Sequence, residues 1–153
     1  MIMKKIVDIR NIALKDGFKI YAQTFTRNEN LIGYVWVENI NSDKRIVIDE
    51  NILNEMGLES EYYFRYYIAL ALSYFKIANV KENYYKQIKS NIHDIEVEDL
   101  AKKMLIPEKE FNKYSKKYNK DIVKLMNHFK VPSTLIEEIL NDKKKGKVKT
   151  LKK

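Results

Sequence analysis

With 153 residues, 45% of them hydrophobic, the chain is long enough to bury one sizeable core, a length that points to a single domain. It contains no cysteine, which excludes disulfides, thiolate metal sites and cysteine nucleophiles. A zinc site would need imidazole and carboxylate ligands, and the two histidines, His93 and His128, are far apart in sequence.

The formal charge of +8 is unevenly placed. Residues 143–153, KKKGKVKTLKK, hold seven lysines and no acid, which leaves 22 basic against 21 acidic residues in 1–142. The expected organisation is a single nearly neutral domain over 1–142 and a disordered lysine-rich tail over 143–153. In that tail Lys143, Lys144, Lys145, Lys147 and Lys149 are candidates for nonspecific phosphate contact. No apolar run reaches signal-peptide or membrane-span length, so the chain reads as cytoplasmic, with no membrane partner.

Along the chain, Ile6, Ile9, Ile12 and Leu14 predict a helix around residues 3–15 that Gly17 ends. Lys19 to Phe25 and Leu31 to Val37 are rich in β-branched and aromatic residues, and Asn28-Glu-Asn between them supplies turn chemistry, so a hairpin is predicted there. Arg45-Ile-Val-Ile-Asp49 adds a third strand. From Glu61 to Lys76, EYYFRYYIALALSYFK is apolar on nearly every face and predicts a buried helix at the centre of the fold. Helices follow over about 94–105, over 108–117 with Pro107 in its first turn, and over 120–129. A last helix begins near Ser133, where Thr134 and Glu137 have capping-box spacing and Leu135, Ile136, Ile139 and Leu140 form the apolar face. The fold class expected is α+β, with a small antiparallel sheet of about three strands on a buried central helix, followed by a bundle of about four helices.

Three segments carry a family resemblance. Arg65-Tyr-Tyr-Ile-Ala69 leads into Leu70-Ala-Leu-Ser-Tyr74, Glu96-Val-Glu-Asp-Leu-Ala-Lys-Lys-Met-Leu-Ile-Pro107 follows, and Phe129-Lys-Val-Pro-Ser133 closes the set. In this order they resemble the ImmA/IrrE family of zinc peptidases, in which a helix reading R-F-T-(I/L)-A-H-E-L-G-H precedes an acidic helix ending in Leu-x-Pro. The resemblance spans roughly residues 31–140 and implies a zincin-like core. Two histidines four residues apart on one helix face can hold one zinc while the glutamate beside the first polarises a water. Here Leu70 and Tyr74 occupy the ligand positions and Ala71 the general-base position, while Glu96 aligns with the third, carboxylate ligand. One carboxylate does not make a zinc site, and a tyrosine with a pKa of about 10 is a poor ligand near neutrality. The chain therefore reads as a degenerate member with no metal, no cofactor and no peptidase activity.

Other features invite sharper readings. His93 with Asp94 and Glu96 is the alternative metal cluster, set against an ordinary helix-start histidine. His128 reads as a positive group near a helix C-terminus. Ser73 has no histidine near it in sequence and no nucleophile-elbow glycines. Asp121 to Leu140 has the spacing of a helix-turn-helix, but its second helix offers Glu137, Glu138 and Asp142 to phosphates, so core packing is the expected role. Among the eleven tyrosines, Tyr84 and Tyr85 are the candidates for an exposed partner-binding surface. The resemblance implies a phage or mobile-element protein that binds a protein partner without cutting it. That partner is a repressor-type regulator or, alternatively, a host defence nuclease inhibited in the manner of an anti-CRISPR; nucleic-acid binding through the lysine tail is the remaining alternative.

Overall fold

The computed structural model describes residues 8–23, 35–40, 43–78, 85–87 and 95–152. The chain is of mixed α and β structure, and mostly helical. Asp8 opens helix α1 (Ile9–Lys15): its carboxylate accepts the Asn11 backbone N–H at 3.1 Å, and Ile9 and Ala13, one turn apart, are buried. The predicted start near residue 3 lies outside the described residues, and the capping carboxylate sets the start at Ile9. Gly17, at φ +89°, makes the left-handed turn into the sheet.

Strands β1 (Phe18–Gln23), β2 (Val35–Ile40), β3 (Asp43–Asp49) and β4 (Tyr85–Gln87) form one sheet in the order β1-β3-β2-β4. β1 runs parallel to β3, with Phe18 opposite Lys44 and Gln23 opposite Asp49; β2 is antiparallel to both β3 and β4. The expected small antiparallel sheet of about three strands is corrected to four strands, with β1–β3 parallel and the other two pairings antiparallel. β2 pairs with β3 and β4 and not with β1, so the predicted β1–β2 hairpin is not formed; Asn28-Glu-Asn lies outside the described residues. The physical reason is that β3, whose residues Ile46, Val47 and Ile48 are all buried, needs a neighbour on each side. Buried Asp49 then accepts the Asn51 backbone N–H at 3.0 Å and turns the chain out of the sheet.

A short helix α2 (Ile52–Glu55) and a 3-10 turn over Gly57–Glu59 deliver the chain to the long helix α3 (Ser60–Ala78). α3 contacts α1, β2 and β3 and, most extensively among the helices, α4 (Ile95–Leu105). Phe18 meets Phe75 edge to face, ring centroids 4.7 Å apart, at the junction of sheet and helix. Helices α5 (Glu108–Lys117), α6 (Ile122–Phe129) and α7 (Ser133–Lys152) complete the fold around Phe111, Leu125, Phe129, Leu135 and Ile136. Pro107 sits at the N-cap of α5, and the Asp121 side chain caps α6 by accepting the Lys124 N–H at 3.0 Å. The backbone of α7 is helical through Lys152; Lys and Leu are good helix formers and extend a helix already anchored in the core.

Candidate functional site

The centre of α3 is enclosed. Ile68, Ala69, Leu70, Ala71, Leu72, Ser73 and Tyr74 are all 0–2% exposed, and seven consecutive helical residues cover every face. Leu70 and Tyr74, one turn apart, lie in the same apolar cluster as Val97, Ala101 and Leu105 of α4. The Ser73 hydroxyl donates to the Met104 sulfur at 3.8 Å, a contact that fixes a packed side chain and primes no nucleophile. Glu96, in the first turn of α4, is exposed and does not share this interior. Among the described residues, no group of three or more His, Asp or Glu side chains could hold a metal ion. His93 and Asp94 lie outside the described residues.

The first turns of α3 carry a second arrangement, which the sequence reading missed. Arg65 is 7% exposed, and its guanidinium donates to the Phe129 carbonyl at 2.9 Å and to the Lys130 carbonyl. Those carbonyls end α6, where Lys130 adopts the left-handed conformation (φ 55°, ψ 53°) that usually selects glycine. Glu59 accepts the Ser133 backbone N–H at 2.7 Å and the Ser133 hydroxyl at 3.1 Å, capping α7 from a distant part of the chain. This replaces the predicted Thr134–Glu137 capping box, since α7 starts at Ser133 and a remote carboxylate already holds its first donors. Tyr62 adds a hydrogen bond to the Asn127 side-chain oxygen at 2.9 Å. One end of α3 thus clamps the turn between α6 and α7. A lone arginine inside the apolar run YYFRYYIALAL was the available signal, because a buried guanidinium requires acceptors.

The helix-turn-helix spacing of residues 121–140 is realised as α6, a turn and α7. Exposed Glu137 and Glu138 stand on its second helix, and Glu138 pairs with Lys102 of α4 at 2.7 Å. That pair lies beside a cleft of about 320 Å³, whose floor includes Ile106, Phe111 and Ile139 and whose rim mixes Asp99, Lys103 and Asp142. Burial lowers the Lys102 pKa, but the hydrogen bond and charge of Glu138, aided by Asp99 and Asp142, leave it raised. Burial also raises the Tyr66 hydroxyl well above its usual value, with Glu98 and Glu138 adding, so this phenol stays protonated and is no base. Desolvation lowers the Arg65 pKa, opposed by Glu61 and Asp8.

A third region gathers rings. His128 lies on Tyr114, centroids 3.8 Å apart, with Tyr118 5.8 Å from Tyr114 and 5.9 Å from His128. His128 is therefore a packed ring at the α5–α6 crossing as well as a residue in the last turn of α6. Of the predicted partner-binding pair, Tyr84 is outside the described residues, and Tyr85 opens β4, where its backbone is in register with Glu38. Tail residues Lys144, Lys145, Lys147 and Lys149 stand on the helical extension of α7. No helix among the described residues is long and apolar enough to cross a membrane. Comparison of the chain with protein-family models, with characterised proteins and with solved structures finds no match.

Proposed function

We propose that this chain is a non-catalytic protein of ImmA/IrrE type, zincin-like in its core, that works by binding a protein partner. The observation that carries the reading is the closure of α3: Leu70, Ala71 and Tyr74, the positions aligned with two zinc ligands and a general base, are 0–2% exposed on a helix enclosed on all sides. A peptidase needs one face of that helix open to metal, water and peptide. Here a leucine and a tyrosine fill the space two imidazoles would occupy, and burying each stabilises by roughly 1.5–3 kcal/mol. Arg65 of the central helix, with Glu59 of the turn that precedes it, is spent instead on holding the α6–α7 turn. The partner we favour is a repressor-type regulator, because that is what the family resemblance implies; a defence nuclease is the alternative.

The test is reversal. The variant Leu70→His/Ala71→Glu/Tyr74→His should, when its circular dichroism matches wild type, bind zinc more tightly than wild type through two imidazoles on one helix face. A folded variant that gains no zinc affinity contradicts the reading of positions 70 and 74 as former ligand positions. For the partner, binding to a candidate regulator should persist when salt is raised and when the tail lysines are changed to glutamine. Collapse under both would assign function to phosphate contact through the tail.

A further inference from the structure

The near neutrality of residues 1–142 conceals a local concentration of charge. Residues 112–130 carry Lys113, Lys116, Lys117, Lys120, Lys124 and Lys130 against Asp121 alone, which leaves 16 basic and 20 acidic residues in the rest of 1–142. All six lysines are exposed, while the Asp121 carboxylate is occupied as the cap of α6. Half-buried Tyr114, Tyr118 and His128 form the ring cluster in their midst. The Lys113 ammonium lies 5.4 Å from the Tyr114 ring centre, and that of Lys117 lies 5.6 Å from Tyr114 and 5.8 Å from Tyr118. Beside them a cleft of about 230 Å³ is lined by Tyr118, Lys124, Asn127 and His128, with no carboxylate. Tyr62 donates to the Asn127 carboxamide oxygen, which orients the Asn127 amide NH2 as a donor group at the cleft.

From this we propose that the α5–α6 face binds single-stranded nucleic acid, with phosphates on Lys113, Lys117 and Lys124 and a base stacked at the Tyr118–His128 cleft. Ring faces beside lysines are what a single strand requires, since every base has a π-face and every nucleotide a phosphate. A duplex hides its base faces, and an acidic peptide has no use for the rings. The site is independent of the α3 closure and distinct from the tail lysines.

The probe is a fluorescein-labelled oligothymidine of about 20 nucleotides, longer than one small surface requires, titrated with the full chain by anisotropy. If these three lysines meet phosphates, raising salt from 50 to 200 mM should weaken binding about 20-fold. Lys117→Ala/Lys124→Ala should flatten the salt dependence. Tyr118→Leu should weaken binding by about fivefold or more, while Tyr118→Phe, which keeps the ring, should retain it. Lys15→Ala/Lys76→Ala, changing exposed lysines on α1 and α3, should leave affinity unchanged. The proposal is overturned if no binding occurs at low salt, or if the Lys15/Lys76 control loses as much as Lys117/Lys124. It is equally overturned if replacing Lys144, Lys145, Lys147 and Lys149 by Gln alone abolishes binding, or if Tyr118→Leu binds as wild type. Tighter binding to the matching duplex would overturn the single-strand assignment.

Discussion

The centre of α3 and the α5–α6 crossing both bring aromatic rings close to polar groups, with opposite results. In α3, Tyr74 is 2% exposed in an apolar cluster, and the one buried cation of the helix, Arg65, spends its donors on backbone carbonyls. At the crossing, Tyr114, Tyr118 and His128 are half-buried and their neighbouring lysines point charge into solvent. The difference teaches that aromatic content alone does not mark a surface; what marks it is where the charge beside the rings is directed. A residue that serves α3 should reveal itself in stability, and one that serves the crossing in binding.

The largest effect is expected at Tyr74. Tyr74→Ala removes a ring from the closed centre and should cost about 4 kcal/mol in urea unfolding, with the residual cavity setting the exact loss. Arg65→Ala should cost about 3 kcal/mol, since it leaves the Phe129 and Lys130 carbonyls without their charged donor. A loss near zero would show that the clamp on the α6–α7 turn is incidental. Glu59→Ala removes a cap and should cost about 1 kcal/mol.

Legibility followed locality. Helix α5 has the predicted bounds 108–117 because Pro107 and the apolar spacing are local signals. α3 was readable from its all-round apolar character. The β1–β3 parallel pairing was not, because no turn residue announces a pairing across the residues between Gln23 and Asp43. Asn28-Glu-Asn looked like a hairpin turn for the same reason: turn chemistry shows where a chain bends and not which strand it then meets. At the candidate site, Leu70, Ala71 and Tyr74 could be singled out only through the family resemblance, and their enclosure on every side depends on neighbours distant in sequence. The Arg65 and Glu59 clamps, reaching over sixty residues to the α6–α7 turn, were beyond any local pattern. The same holds for the packing of His128 on Tyr114.

Two smaller effects sharpen the contrast. The Tyr66 pKa is raised in the fold, so the stability it contributes is whole below the usual phenol value near 10 and is lost as pH climbs above it. Unfolding midpoints measured upward from pH 9 should fall, and Tyr66→Phe should flatten that fall. Ser73→Ala gives up only a weak contact to the Met104 sulfur and should change stability by less than about 0.5 kcal/mol. A destabilisation well beyond that would give Ser73 a role the packing does not provide.

The most direct test of the closed centre is the zinc bound by the tag-free wild-type protein, measured by mass spectrometry of the metal and by titration, with the melting temperature followed in EDTA. A centre filled by Leu70 and Tyr74 predicts far less than one zinc per chain and a melting temperature that EDTA leaves unchanged. Stoichiometric, tightly held zinc whose removal lowers the melting temperature would contradict it.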